Sequence, residues 1–189
     1  MELHRLSEII PELSQRALQQ GWKVLTREGA TLEVKVEGER YVVDIREHTG
    51  PIHWPSLRDW IRQFDGQRKL ILLTMGFFPK KSILELLKDP QRAGRVSIVG
   101  MGLRDYFDTE FKPRKLGPAS PLLDAVEEVL AGRGISLQAI TCDYCSERPL
   151  AGCDVCGALL CKSHFIPCPL CNARLCHPDV NDCYFKHQC

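Results

Sequence analysis

All ten cysteines of this 189-residue chain fall in its last 48 residues, and three of its six histidines are set among them. From Cys142 to Cys189 the spacing is C-x2-C-x7-C-x2-C-x4-C-x2-H-x3-C-x2-C-x4-C-H-x5-C-x3-H-x-C. A C-x2-C pair closes a tight turn that aims two thiolates at one point. Zinc takes four thiolate or imidazole ligands in a tetrahedron. The pairs Cys142/Cys145, Cys153/Cys156, Cys161/His164, Cys168/Cys171, Cys176/Cys183 and His187/Cys189 each offer half a site, twelve ligands in all, and His177 is left over. The expectation is three closed Zn²⁺ sites with a structural role. No HExxH helix accompanies them, and no coordination position is left open for catalysis.

The pattern Cys153-x2-Cys156-x4-Cys161 recurs fifteen residues later as Cys168-x2-Cys171-x4-Cys176. Such a repeat suggests stacked turns. Cross-bracing would join Cys142/Cys145 to Cys161/His164, with Cys153/Cys156 joining a later pair; sequential pairing is equally compatible with the spacing. A disulfide framework is the competing reading of an even cysteine count. The start MELHRLSEIIPELSQRA has neither the basic opening nor the long apolar run of a secretory signal. The expected location is therefore cytoplasmic, where thiols stay reduced. No apolar run approaches membrane-spanning length, so no membrane partner is expected.

The run Cys142 to His164 resembles small zinc modules of the B-box, AN1 and RING-like group, and CPLC at Cys168–Cys171 resembles the closing pair of a RING. The ligand order completes none of these patterns. What the resemblance implies is a treble or cross-braced tail that presents a surface to a protein partner.

The cysteine-free part reads differently. Residues 5–20 form an amphipathic helix that restarts at Pro11 and stops at Gly21. Residues 22–26, 31–36 (TLEVKV) and 40–47 (RYVVDIRE) read as strands, the last two joined by a hairpin. A turn at Glu37-Gly38 pairs Val34 with Tyr41; one at Gly38-Glu39 pairs Val36 with Tyr41 and sets Glu33 opposite Asp44. In both registers Leu32, Val34, Val36, Tyr41, Val43 and Ile45 share one face, and Thr31, Glu33, Lys35, Val42, Asp44 and Arg46 share the other. Ser56 is read as the cap of a helix with the core stripe Leu57, Trp60, Ile61 and Phe64, ended by Asp65-Gly66. KLILLTMG (69–76) and RVSIVG (95–100) are apolar runs suited to strands buried on both faces. Ser82 with Glu85 forms a capping box between them, and Asp89-Pro90 stops that helix. LRDYF (103–107) reads as a helical turn. The fold class is α/β, a mixed sheet flanked by helices, plus a small C-terminal zinc-stabilised domain.

This α-β-β-β-α-β-α-β-α order resembles the restriction-endonuclease fold, the PD-(D/E)xK group, and most of all its Mrr-type branch. The matching stretches are GERYVVDIREHTGPI (38–52), KLILLTMGFFPKKSILELL (69–87) and RVSIVGMGLRDYF (95–107). The resemblance implies a metal-dependent endonuclease ancestry, with (D/E)-x-K on the third strand and an acidic partner on the strand before. Asp44-Ile45-Arg46 occupies the (D/E)-x-K place, and Glu33 or Thr31 the preceding acid's. The implied catalytic residues are Glu33, Asp44 and Arg46, with Mg²⁺ as cofactor if the centre works. Arginine keeps lysine's charge but cannot surrender a proton, so a degenerate centre is the leading expectation. His48 and His53 follow this strand as surface loop histidines. Trp54 and Trp60 are read as core.

The organisation expected is residues 1–111 as the restriction-endonuclease-like domain, 112–119 as a basic Pro/Gly linker, 120–141 as a connecting helix and strand, and 142–189 as the multi-zinc domain. Ser120 caps the connecting helix, with Pro121 first and Leu122, Val126, Val129 and Leu130 on its apolar stripe. The net charge of +1 divides unevenly: 20 Lys and Arg against 16 Asp and Glu in 1–115, but 5 against 8 in 116–189. A basic first part suits DNA or RNA, with Lys112, Arg114 and Lys115 as phosphate contacts. The expected function is nucleic-acid binding. A protein-interaction adaptor acting through the tail and an active endonuclease are the alternatives.

Overall fold

The tightest sequence constraint on the sheet is a two-residue turn. Glu37 and Gly38 both adopt positive φ (49° and 93°), as a type I′ hairpin requires. That fixes the first of the two registers: Val34 pairs with Tyr41, Glu33 with Val42 and Thr31 with Asp44. Glu33 is therefore not opposite Asp44.

The computed structural model of the chain describes residues 5–64, 66–102 and 112–189. The helical turn expected at 103–107 lies outside them. Among the described residues, seven strands form one mixed sheet in sequential order. β1 (Lys23–Glu28), β2 (Thr31–Val36) and β3 (Glu39–Arg46) make an antiparallel meander. β4 (Lys69–Thr74) and β5 (Val96–Gly100) continue parallel to β3. Two short strands close the edge: β6 (Arg114–Leu116), antiparallel to β5, and β7 (Gln138–Ala139), parallel to β6.

Alternation along the strands builds two apolar layers. Leu32, Val34, Val36, Tyr41, Val43 and Ile45 pack under α1 (Ile9–Gln19) and α5 (Pro121–Gly132). Val42, Leu70, Leu72, Val96 and Ile98 pack under α2 (Trp54–Arg62) and α3 (Lys80–Leu87). The helix–sheet–helix layering is that of an α/β domain.

The helix starts differ from the sequence reading for identifiable reasons. Pro11 lies in the first turn of α1, where a missing N–H costs nothing, so the helix runs from Ile9 without restarting. α2 begins at Trp54, with Pro55 in its first turn and His53 as its cap, not Ser56. α3 begins at Lys80, after Pro79; the Ser82 hydroxyl donates instead to the Ile52 carbonyl at 3.0 Å, tying the helix to the loop after β3. Asp89 both ends α3 and caps α4 (Pro90–Ala93), accepting from the Gln91 and Arg92 amides. Arg114–Leu116, inside the stretch read as a linker, is a strand. Its carbonyls and amides complete the open edge of β5, and Leu116 is buried against the α2/α3 layer. α5 is capped by Ser120 as expected.

The cysteine-rich region follows β7 directly. It carries two small hairpins, β8 (Ala151–Gly152) with β9 (Leu159–Leu160), and β10 (Phe165–Pro167) with β11 (Arg174–Cys176), then α6 (Cys183–Lys186). It is docked on α3 and α4. Leu159 joins the α2/α3 core, and Gly152 is so close to Leu84 that a Cβ there would collide with it. Two arginines reach carbonyls at the ends of these helices, where the helix dipole favours cations. Arg148 donates to Ala93 O at 3.1 Å and Arg174 to Leu87 O at 3.5 Å. Among the described residues no helix is long and apolar enough to cross a membrane.

Candidate metal centres

Three turns of one design present the cysteine pairs. In the second, Cys153 N–H donates to Ala158 O and Gly157 N–H to Cys153 O. In the third, Cys168 N–H donates to Ala173 O and Asn172 N–H to Cys168 O. The fifth residue of these two turns has positive φ, 71° at Gly157 and 58° at Asn172, and glycine and asparagine are the residues that tolerate this region best. The fifteen-residue repeat is thus a repeat of backbone geometry. The first turn shares the Cys142 N–H bond, which goes to Glu147 O.

The twelve ligands gather into three groups of four: Cys142, Cys145, Cys161 and His164; Cys153, Cys156, Cys176 and Cys183; Cys168, Cys171, His187 and Cys189. Within each group the donor atoms lie within 4.8 Å of one another. The edges include Cys145 to Cys161 at 3.6 Å, Cys142 Sγ to His164 Nδ1 at 3.4 Å, Cys156 to Cys176 at 3.6 Å and Cys168 to Cys189 at 3.4 Å. A tetrahedral ion with metal–sulfur bonds of about 2.3 Å has ligand–ligand edges of about 3.8 Å. Donor set, count and spacing fit, so each group could bind a zinc ion. All ten cysteines are free thiols, not disulfides.

The groups interlock. The second group's first pair precedes the first group's second pair, and the third group's first pair precedes the second group's last two ligands. Of the pairings the spacing left open, this is the cross-braced one. Among the described residues His177 belongs to no group; its Nδ1 accepts from the Asp179 amide at 3.3 Å.

Electrostatics within the groups favour a cation. Backbone N–H groups of Cys171 and Leu170 point at the Cys168 sulfur and bring its thiol down to about 6. Burial pushes the Cys153 thiol up, but N–H groups of Cys156, Val155 and Cys176 outweigh it and bring it to about 7. Their neighbours move the other way. The Cys189 thiol, hydrogen-bonded to Cys168 and Cys171, is pushed up to about 12, and burial with thiol neighbours raises Cys183 to about 11. Thiolates crowded this closely repel, and a divalent ion removes the conflict.

Glu33, Asp44 and Arg46, the residues expected to form a nuclease centre, lie elsewhere, on the α2-facing side of the sheet. Asp44 accepts from the Thr31 hydroxyl through Oδ1 and from Trp60 Nε1–H at 2.6 Å through Oδ2. Glu33, buried, is held by Arg40 at 2.5 Å with Arg68 at 3.7 Å. Arg46 donates to Gln63 at 3.0 Å and stacks over the Trp60 ring at 4.4 Å. The register makes Glu33 and Asp44 diagonal neighbours, a relationship that separates side-chain roots by about 7–8 Å. No group of three or more potential ligands includes them among the described residues. The His48 carbonyl anchors the loop after β3 by accepting from Thr74 and Gly76.

Of the three cations expected to touch phosphate, Lys112 and Arg114 line a cleft at the end of β5. Lys115 is paired with Glu127 of α5. Sequence reasoning had not singled out Lys80 as a partner of the tail; it pairs with Asp143, in the first cysteine turn, at 2.7 Å.

Comparison with protein-family models, with curated proteins and with solved structures finds no match to this chain.

Proposed function

We propose that this chain is a nucleic-acid-binding protein, built on a restriction-endonuclease-like domain without working nuclease chemistry, whose tail folds around three structural Zn²⁺ ions. The α-β-β-β-α-β order and the placement of Asp44-Ile45-Arg46 on the third strand support the family resemblance. One observation carries the functional reading: the motif's carboxylates are committed to Thr31, Trp60 and Arg40, while Arg114 has no ion-pair partner among the described residues. Hydrolysis of a phosphodiester needs carboxylates that share Mg²⁺ and generate hydroxide. Cations beside a cleft need only a phosphate chain.

The reading is tested by incubating the zinc-loaded protein with labelled DNA and RNA, with and without Mg²⁺ or Mn²⁺. Retarded but uncut strands support it. Cleavage abolished by Asp44→Ala would replace it with an active endonuclease.

A second reading, a protein-interaction adaptor, is favoured by Leu170 and Phe185 on the tail, which are 84% and 74% exposed. A partner whose binding is lost in Leu170→Asp and kept in Arg114→Glu would favour it over the first.

A further inference from the structure

The carboxyl ends of the parallel strands β4 and β5 open onto a cleft of about 590 Å³. That size lies within the roughly 300–1,000 Å³ of small-molecule sites, and the carboxyl edge of an open α/β sheet is where such sites recur. None of Glu33, Asp44 and Arg46 lines it. Its lining includes the loop after β4, with Phe77 and Phe78, and the β7 edge and first cysteine turn, with Ile140 and Asp143. At Gly100, a Cβ would come within 3.1 Å of the Gly76 carbonyl, so the loops behind β4 and β5 pack backbone to backbone there.

We propose that this cleft binds a nucleoside phosphate, either as a free nucleotide or as the terminal nucleotide of a strand. Among the described residues, Lys80, Lys112, Arg114 and Asp143 are the charged groups that line it. Asp143 is itself occupied: it pairs with Lys80 at 2.7 Å and accepts the Leu159 amide at 3.0 Å. The guanidinium of Arg114 is exposed, and its planar fork matches phosphate oxygens. Phe78, half-buried in the lining, offers an apolar, π-faced surface on which a base stacks. Gln138, paired with Arg114 across β6 and β7, brings an amide that can donate to and accept from a base edge. Cations alone would describe an anion site; their combination with aromatic walls in one cleft describes a nucleotide.

The inference deepens the nucleic-acid reading and rests on it only for the strand-end source. The cleft is also made in part by the metal tail. Asp143 lies between the ligands Cys142 and Cys145, so the wall keeps its place only while that turn does.

The test uses the full zinc-loaded chain with three probes: AMP, a 5′-phosphorylated single strand, and the same strand without the phosphate. Binding is compared in Arg114→Glu and in Lys23→Glu, an equal charge change on β1 at the opposite edge of the sheet. Circular dichroism and zinc content verify that both variants fold. Loss of a charge-assisted phosphate contact predicts weakening of about tenfold or more for Arg114→Glu. Lys23→Glu should stay near the parent. AMP bound with this dependence identifies a free-nucleotide site, and preference for the phosphorylated strand identifies a strand-end site. Strand binding that is indifferent to Arg114→Glu overturns the cleft and Arg114's part in the nucleic-acid reading, and leaves strand binding itself standing. Arg114-dependent binding of AMP with no strand bound keeps the cleft and overturns that reading. Absence of all binding overturns both.

Discussion

The indole N–H of Trp60 donates to the Asp44 carboxylate at 2.6 Å, fastening α2 to the third strand at the residue that a nuclease would use for metal. Trp60 is fully buried, so this N–H has no access to water. The Asp44 carboxylate serves here as a structural acceptor.

Asp44→Ala should therefore destabilise the protein. It leaves a buried donor unpaired, which costs about 1–3 kcal/mol, and frees the Thr31 hydroxyl as well. Asp44→Asn keeps one accepting oxygen and should cost less. Chemical denaturation of the zinc-loaded protein measures both; equal stability of parent and Asp44→Ala would show that the bond contributes nothing.

Metal affinity should fall as pH falls. Ions bind thiolates, and the Cys189 and Cys183 thiols, at about 12 and 11, are protonated at neutral pH without metal. Binding must expel those protons, so the stabilisation from metal is present at neutral and higher pH and is lost on acidification. Cys168, at about 6, adds its own proton only as the pH drops through that value. Zinc released to a chromogenic chelator, followed from pH 8 to pH 5, checks the sign; release that grows with rising pH would contradict it.

The three sites should not empty together. Cys171 and Cys189 are exposed, whereas Cys142 and Cys161 of the first group are buried. Under limiting chelator, the Cys168/Cys171/His187/Cys189 group should lose its ion first. Cys171→Ser should lower the zinc content by about one ion and leave the α/β domain's unfolding transition in place. Cys153→Ser strikes the group interlocked with both neighbours, and should lower it by more than one. Elemental analysis against protein concentration distinguishes these outcomes.

The docking of the tail should depend on two arginines. Arg174 reaches the end of α3 while pairing with Asp154 at 3.0 Å, and Arg148 reaches the end of α4. Burial lowers the Arg148 pKa, so its charge is held where water is scarce. Replacing both by alanine should cost about 1–3 kcal/mol through two carbonyls left unpaired and the lost Asp154 ion pair. It should also speed proteolysis between Ile135 and Thr141. An unchanged cleavage rate would mean that the apolar contacts of Leu159 and Leu84, with the Lys80–Asp143 pair, hold the tail without the two arginines.

Much of this arrangement was legible in the chain because it depends on local periodicity. Alternation placed Leu32, Val34, Val36, Tyr41, Val43 and Ile45 on one face whichever turn formed, since both registers keep the parity of the strand. Choosing between them needed the positive φ of Glu37, which no local rule demands of a glutamate. The twelve ligands were legible because knuckle spacing is local; their grouping was not, because it is set by how the hairpins stack. The strand at Arg114–Leu116 was hidden by its composition. Three residues among prolines, a glycine and cations look like a linker until the open edge of β5 supplies partners. Ser56 and Ser82 looked like caps because capping is a short-range pattern, yet Pro55 and the Ile52 carbonyl decided the outcome over longer range. The cleft could not be read at all, since its described walls are brought together from five separated stretches of the chain.

The central claim is that this chain holds a nucleic-acid backbone by charge and does not cut it. The direct measurement is the affinity for a labelled single strand, in Mg²⁺, as salt is raised. With about three cations on phosphate, log K should fall by about 2 for each tenfold rise in salt. The strand should be recovered intact. Affinity that is absent or indifferent to salt, or a strand cut by the parent and spared by Asp44→Ala, would contradict the account.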